Sequence, residues 1–205
     1  DVIISGGGLV GLALACAAAP SGIQVALIER GEPIRAEDEI DRFSPRVSAI
    51  NLASERLLKN IGAWHKIAHH RLSPYNSMSV WDGLGQGQID FEAHSVNHQQ
   101  LGYIIENSHL SQALWQTLQS HKNVDVFCND EIDIIGNEED RVVVTTQNQH
   151  QLSAQVLVGC EGKNSTVRNA AGIELWQWSY RHSAIVTTVE HELSHQQCAQ
   201  QGFLD

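Results

Sequence analysis

Three glycines near the start of the chain have the spacing of a phosphate-binding turn. Gly6, Gly8 and Gly11 follow an apolar β-branched run at residues 2–4 and open a stretch rich in helix formers at residues 12–19. In such a turn the first glycine makes the bend, the second lets the backbone approach a diphosphate, and the third lets the helix pack closely on the strand. The unpaired N–H groups and the dipole at the helix start attract anions. The pattern therefore predicts a site for the diphosphate of a dinucleotide.

An acidic residue further along the chain strengthens this prediction. Glu29 ends a second apolar run, residues 25–28, and a carboxylate in this place accepts hydrogen bonds from an adenosine ribose. Its negative charge disfavours the 2′-phosphate of NADP, so the predicted ligand is FAD or NAD. Strand, glycine turn, helix and strand within about 30 residues form a βαβ unit, which is more specific than the glycines alone. The alternative is a glycine-rich turn that binds no ligand.

The remaining pattern predicts the elements that position these residues. Helices and strands alternate at first, and short strands dominate later, which indicates an α/β nucleotide-binding core with a β-rich insertion. Residues 31–45 read as a loop. Helices are predicted over 51–61, with Leu57 and Leu58 facing inward, over 108–118, and briefly within 162–172. Further strands are predicted at 78–81, 88–91, 102–106, 124–128, 131–135, 142–146, 156–160 and 184–189.

Composition limits the classes of function. The chain has 205 residues, 42% of them hydrophobic, and a formal net charge of −11. Such a surface repels phosphate backbones, so nucleic acid is not a predicted partner. The longest apolar run, residues 9–19, is shorter than the roughly 20 residues that span a bilayer. Four widely spaced cysteines favour a reducing compartment. The predicted localisation is cytoplasmic, with peripheral membrane contact left open.

No metal site is predicted. His65, His69 and His70 place two imidazoles on one helical face, but no further ligand of a zinc site stands near them in the sequence. A solvated, histidine-rich helix end is the expected interpretation.

Later segments resemble a known family. Residues 158–168, Val-Gly-Cys-Glu-Gly-Lys-Asn-Ser-Thr-Val-Arg, are similar to the G-A-D-G-x-x-S-x-V-R segment of the single-component flavin aromatic hydroxylases. Segments 46–50, 57–64 and 101–107 resemble the ubiquinone-biosynthesis branch of that group, the polyprenylphenol hydroxylases. The resemblance covers nearly all of the chain and corresponds to the N-terminal half of the family.

The resemblance implies a fold and its division. The fold is α/β, a Rossmann-like FAD-binding domain of the aromatic-hydroxylase type with the start of a β-rich substrate domain. Residues 1–75 and 98–176 belong to the FAD-binding domain, and residues 76–97 and 177–205 to a partial substrate domain.

The resemblance also implies an activity. A family member is an FAD-dependent monooxygenase that uses NAD(P)H and O₂ to hydroxylate a hydrophobic polyprenylphenol in ubiquinone biosynthesis, where a complex with other proteins of that route is an expected partner. Two alternatives remain open. An NAD-dependent dehydrogenase would need further parallel βα units after Glu29, and a nucleotide-binding remnant would act without catalysis.

Site residues follow by matching positions. The turn glycines and Glu29, with the adjacent Arg30, would hold the ADP half of FAD. Arg46 would lie near the phosphates or the flavin, and the alternative for it is a surface ion pair with Asp41 or Glu37. Asn107 would be a further cofactor contact, or else the N-cap of a helix beginning at Ser108. The matched cofactor-binding residues are Gly6, Gly8, Gly11, Glu29, Arg30, Arg46, Asn107, Glu161, Gly162 and Arg168.

Two departures from the family pattern carry expectations of their own. Glu161 replaces the family's aspartate and Cys160 its small alanine, so weaker FAD binding is expected, because the longer carboxylate needs room beside the diphosphate. The later G-D-A-A-H segment of the family has no counterpart in the chain. A fragment with little hydroxylase activity by itself is therefore expected.

Overall fold

A computed structural model describes residues 1–34 and 43–204. Thirteen strands and four α-helices are present in this part of the chain. The strands are β1 (Val2–Ser5), β2 (Val25–Glu29), β3 (Val47–Asn51), β4 (Ser73–Tyr75), β5 (Ser77–Asp82), β6 (Gln88–Glu92), β7 (Gly102–Glu106), β8 (Val124–Cys128), β9 (Ile132–Glu138), β10 (Arg141–Thr146), β11 (Gln151–Ala154), β12 (Val156–Gly159) and β13 (Cys198–Phe203). The helices are α1 (Leu9–Ala18), α2 (Leu52–Asn60), α3 (Asn107–Leu118) and α4 (Thr166–Ala170).

A four-stranded parallel sheet forms the centre of the fold. β1 pairs with β12 and β2, and β2 pairs with β8, which gives the order β12-β1-β2-β8. Helix α1 connects β1 to β2, as the βαβ pattern predicts. Because all four strands run in the same direction, their carboxyl ends meet at one edge. This confirms the predicted α/β class with a parallel nucleotide-binding sheet.

Both faces of this sheet are covered. Ile4 of β1 packs in one buried cluster with Leu12 of α1 and Leu114 of α3. The neighbouring Ile3 points to the opposite face and packs in a second cluster with Val144 of β10. The sheet is thus the middle of three layers, and this explains why its inner strands β1 and β2 are apolar without alternation.

Three smaller sheets complete the fold. β9, β10 and β11 form an antiparallel sheet, and β3 and β4 flank β7 in another. β5 and β6 form an antiparallel hairpin, and β13 pairs with β5 in parallel. Strands from both segments assigned to the substrate domain, 76–97 and 177–205, therefore share one sheet. The division into two domains stays a prediction.

One predicted strand is wrong. Residues 173–197 contain no helix or strand, and the chain's last strand is β13 rather than 184–189. β-branched residues favour a strand only where a neighbour accepts its backbone hydrogen bonds. Residues 184–189 pair with none of the strands of the four sheets. Ile185 is accordingly 94% exposed.

Smaller differences concern helix faces and short strands. Leu58 is buried as predicted, but Leu57 is 47% exposed, because α2 is covered on a narrower face than the apolar pattern suggests. Strands β3, β4 and β11 were not predicted, and they are three to five residues long. Within residues 1–34 and 43–204, no helix combines the length and the hydropathy that a bilayer crossing needs.

Candidate cofactor-binding site

A cleft of about 450 Å³ lies at the carboxyl edge of the parallel sheet. Open α/β sheets bind their ligands at this edge, where the loops after neighbouring strands diverge. The cleft is built from the turns that follow β1, β2, β8 and β12. Its lining residues are Ser5, Gly6, Gly8, Ile28, Glu29, Arg30, Asp130, Glu131, Cys160, Glu161, Gly162, Lys163, Asn164 and Thr166.

Two glycines of the turn after β1 are required by the protein's own packing. Gly6 has a φ of +103°, and a Cβ there would lie 2.6 Å from the Cys160 carbonyl oxygen. A Cβ on Gly11 would lie 1.9 Å from the Gly6 carbonyl oxygen, so only glycine lets α1 approach β1 this closely. These positions shape the turn whether or not a ligand is bound.

Gly8 is different, because nothing in the protein requires it to be glycine. Its φ of −73° and ψ of −178° are open to any residue, and no atom lies within 4 Å of a Cβ built there. Gly8 is also the N-cap of α1, which has no side-chain cap. The first-turn N–H groups of α1 have no partner within the helix, and the open space beside Gly8 leads to them. A diphosphate fits this arrangement.

Glu29 lies on the cleft wall next to this turn. Its Oε2 accepts a hydrogen bond from the Gly7 N–H at 2.5 Å, and its Oε1 accepts one from the Gly31 N–H at 2.8 Å. Each carboxylate oxygen has two lone pairs, so each can accept one further hydrogen bond from the cleft. Two cations, Arg30 and Lys163, also line the cleft.

Glu161, which replaces the family's aspartate, points back into the protein. Its Oε1 accepts from the Ser5 hydroxyl at 2.9 Å, and its Oε2 from the Ser165 hydroxyl at 2.6 Å and the Val167 N–H at 3.0 Å. Ser165 in turn caps α4 by accepting from the Arg168 N–H at 3.1 Å. Glu161 therefore joins β1 to the start of α4.

Asp130 closes the cleft after β8, and sequence reasoning missed it. Its side chain is fully buried and accepts hydrogen bonds from the N–H groups of Glu131 and Asn148 and from His150 Nδ1, at 2.9, 3.1 and 2.9 Å. Burial opposes ionisation, but hydrogen bonds from Thr146, His150 and these backbone groups lower the pKa of Asp130 below its usual value. An acidic residue two positions after the predicted strand 124–128 was the signal that could have found it.

The whole chain matches a family model. The model described as "FAD binding domain" matches residues 1–201. The chain belongs to this family. FAD is the cofactor that the family's name states, and the open N-terminus of α1 fits its diphosphate.

Curated relatives of this FAD-binding domain are named as hydroxylases of ubiquinone or of a ubiquinol. The 3-demethoxyubiquinol 3-hydroxylase of Escherichia coli (strain K12) is 34% identical over 194 residues, which cover 94% of this chain and 49% of the relative. The ubiquinone hydroxylase UbiL of Rhodospirillum rubrum is 35% identical over 206 residues, which cover 100% of this chain and 47% of the relative. The chain thus spans about half the length of the curated relatives it matches.

Solved structures share the fold. PqsL from Pseudomonas aeruginosa, a probable FAD-dependent monooxygenase, has a TM-score of 0.70 at 20% identity, over 88% of this chain and 47% of that chain. The p-nitrophenol 4-monooxygenase PnpA from Pseudomonas putida DLL-E4 has a TM-score of 0.66 at 23% identity, over 83% of this chain and 43% of that chain. These likenesses support the aromatic-hydroxylase type of FAD-binding fold predicted from the sequence.

Six of the ten predicted cofactor-binding residues line the cleft of the FAD-binding domain. They come from three separate turns, which the parallel sheet brings to one edge. The six residues are Gly6, Gly8, Glu29, Arg30, Glu161 and Gly162. Gly11 lies one turn into α1, and Arg168 lies in α4 with its backbone N–H bound to Ser165.

Arg46 and Asn107 lie outside the cleft lining and next to each other. The Asn107 N–H donates to the Arg46 carbonyl oxygen at 2.9 Å, and the Ser48 hydroxyl donates to Asn107 Oδ1 at 2.6 Å. The N-cap alternative for Asn107 is wrong, because α3 begins at Asn107 itself and Glu106 occupies the cap position. The alternative ion pair of Arg46 with Asp41 or Glu37 lies outside the described residues.

Proposed function

We propose that this protein is the FAD-binding part of a flavin-dependent monooxygenase that hydroxylates a polyprenylated phenol in ubiquinone biosynthesis, with NAD(P)H as reductant and O₂ as oxidant. The uncapped N-terminus of α1 beside Gly8 carries the cofactor part of this proposal. The names of the E. coli and R. rubrum relatives support the substrate class.

The diphosphate of FAD occupies the turn after β1. The N–H groups at the start of α1 donate to it, and the missing side chain of Gly8 lets it approach the backbone. Arg30 and Lys163, both on the cleft wall, offset its negative charge. Glu29 accepts hydrogen bonds from the ribose hydroxyls. It does so with the lone pairs that are not used by the N–H groups of Gly7 and Gly31.

The remaining predicted residues complete the site, Arg46, Asn107 and Arg168 from outside the cleft lining. Arg46 has an exposed side chain and faces the phosphates or the flavin. Asn107 supports it through the hydrogen bond to the Arg46 carbonyl oxygen. Glu161, Gly162 and Arg168 back the diphosphate and ribose, Glu161 by holding β1 and α4 together.

Bound FAD supplies the activation of oxygen, and the protein supplies binding, orientation and exclusion of water. The substrate is lipophilic, so peripheral contact with a membrane and association with other proteins of the same biosynthetic route belong to this proposal. The family match and the three sheets with antiparallel pairing disfavour the NAD-dependent dehydrogenase alternative.

A titration with FAD tests the cofactor part. We expect the purified protein to bind FAD with a visible flavin absorption band, and Glu29→Ala to weaken binding of both FAD and ADP. Glu138→Ala, which removes an exposed carboxylate on β9, is the matched control and should bind as the unsubstituted protein does. A protein that binds neither FAD nor ADP contradicts the proposal.

The activity is tested with the complete product of the gene. We expect NAD(P)H oxidation that a prenylated phenol stimulates, with one oxygen atom incorporated into the ring. FAD binding without any such turnover supports the non-catalytic remnant instead.

A further inference from the structure

A buried ion pair lies behind the segment that carries Arg46. Arg71, in a short 3₁₀ helix at His69–Arg71, has a fully buried side chain, and Glu106, the last residue of β7, is 8% exposed. Arg71 Nη1 donates to Glu106 Oε2 at 3.1 Å. Burying such a pair removes two charges from water and adds little net stability, and one use of buried ion pairs is to select a single arrangement.

Both members of the pair contact the segment of residues 43–46. The second oxygen of Glu106, Oε1, accepts a hydrogen bond from the Ser44 N–H at 2.6 Å. The guanidinium carbon of Arg71 lies 4.8 Å from the centre of the Phe43 ring, within the range of a cation–π contact. The pair therefore fixes the chain immediately before Arg46.

Hydrogen bonds also fix the backbone of Arg46 itself. Its N–H donates to the Ser44 hydroxyl at 3.3 Å, and its carbonyl oxygen accepts from the Asn107 N–H at 2.9 Å. The Arg46 side chain nevertheless stays exposed. A rigid backbone with an exposed cation is the arrangement that lowers the entropy cost of binding an anionic ligand.

We propose that Arg71 and Glu106 are positioning residues that hold Arg46 in place for bound FAD. The proposal rests on the proposed function, since it needs FAD in the cleft and Arg46 in contact with it. Neither Arg71 nor Glu106 touches the cofactor. They act through the backbone of residues 43–46.

Two substitutions of Glu106 separate charge from hydrogen bonding. Glu106→Ala removes the acceptor of the Ser44 N–H and the carboxylate that Arg71 Nη1 contacts, whereas Glu106→Gln keeps an amide oxygen as acceptor. We expect Glu106→Ala to raise the dissociation constant for FAD by about tenfold or more, because hydrogen bonds to charged groups are the stronger ones. Backbone hydrogen exchange of Phe43, Ser44 and Arg46 should accelerate in parallel. Glu106→Gln should give a smaller change in both measurements.

A double substitution shows whether the effect passes through Arg46. Arg46→Ala alone should weaken FAD binding, and Arg46→Ala with Glu106→Ala should weaken it no further, because the pair then has nothing to position. Additive losses of affinity would overturn the inference.

Glu55 provides the matched control. Its side chain is 8% exposed, as that of Glu106 is, and its Oε1 lies 2.6 Å from Lys59 Nζ within α2. Glu55→Gln should change neither FAD affinity nor the exchange of residues 43–46.

The outcomes distinguish the two proposals. An unsubstituted protein that binds no FAD overturns the proposed function, and this inference with it. FAD binding that stays at the unsubstituted level in Glu106→Ala overturns this inference alone. If Glu106→Ala does not fold, Glu106→Gln decides by the same two measurements, and unchanged values in it overturn the inference.

Discussion

Two helices begin at the cleft, and they differ in whether the N–H groups at their N-termini have hydrogen-bond acceptors from side chains of the protein. At α1, Gly8 caps the helix without a side-chain hydrogen bond. At α4, the Ser165 hydroxyl accepts from the Arg168 N–H, and the Glu161 carboxylate accepts from the Val167 N–H. The protein satisfies the donors of α4 and leaves those of α1 for a ligand. The α1 turn thus has donors available for the proposed cofactor, and the α4 turn has its donors bound within the protein.

The same contrast exists within the glycine turn. Gly6 and Gly11 are glycines because carbonyl oxygens lie where their side chains would be, whereas Gly8 faces open space. A sequence pattern that treats the three as equal thus combines two requirements, one of the fold and one of the ligand. Substitutions can separate them.

The largest expected effect is on the fold, at Gly11. Gly11→Ala places a Cβ 1.9 Å from the Gly6 carbonyl oxygen, so α1 must move away from β1. Overpacking of this kind lowers the free energy of unfolding by about 3 kcal/mol, measured by urea unfolding. Gly136→Ala on β9 is the control, since its Cβ meets no atom closer than 3.9 Å. Equal stability of the two variants would contradict the packing role of Gly11.

The next effect concerns the closed turn at α4. Glu161→Ala leaves the hydroxyls of Ser5 and Ser165 and the Val167 N–H without their acceptor. Loss of a partly buried, charged acceptor should lower the free energy of unfolding by about 2 kcal/mol. Urea unfolding measures it, with Glu139→Ala at an exposed position as control.

Glu161→Asp tests the departure from the family pattern. The shorter side chain cannot reach all three donors, so we expect a smaller loss of stability than in Glu161→Ala. The sequence predicts that aspartate allows tighter FAD binding, and a titration with FAD checks this. Tighter binding by the native glutamate contradicts that prediction.

A third, smaller effect concerns the wall after β8. The lowered pKa of Asp130 means that the folded state holds the carboxylate ionised more strongly than the unfolded state does. Its contribution to stability is therefore complete above the ordinary value of 3.8 and is lost as the pH falls through the lower folded pKa. The free energy of unfolding, measured with urea, should fall as the pH is lowered through this range. The fall should be smaller in Asp130→Asn. If the free energy of unfolding of Asp130→Asn falls with pH as steeply as that of the unsubstituted protein, the loss is due to other carboxylates.

The smallest effect on stability is expected at Gly8, where the comparison is sharpest. Gly8→Ala fits the existing backbone and meets no atom, so stability should change by less than about 1 kcal/mol, because the unfavourable alanine N-cap offsets the gain from a less flexible unfolded chain. FAD affinity should nevertheless fall, because the methyl group stands where the diphosphate approaches. Unchanged FAD affinity in Gly8→Ala would contradict the view that Gly8 is required by the ligand whereas Gly6 and Gly11 are required by packing.

Sequence reasoning found the βαβ unit and most of the strands, because they are specified by local patterns. Val2–Ser5 and Val25–Glu29 are apolar runs bounded by glycine or charge, and the helix α3 was predicted to within one residue at its start. It failed for residues 184–189, whose β-branched composition favours a strand although these residues join none of the four sheets. It also missed Asp130, whose place in the cleft depends on the order of the parallel strands.

The amino-acid sequence by itself determined the strand, glycine turn and helix at β1 and α1 and the position of Glu29 at the end of the second strand, because glycine spacing and apolar runs act over a few residues. The tertiary structure decided which groups remain available for a ligand. Glu161 is directed into the protein by the hydroxyl of Ser5, 156 residues away in the chain, and the segment before Arg46 contacts the buried pair of Glu106 and Arg71 through Ser44 and Phe43. Those contacts join residues far apart in the chain, and no local pattern contains them.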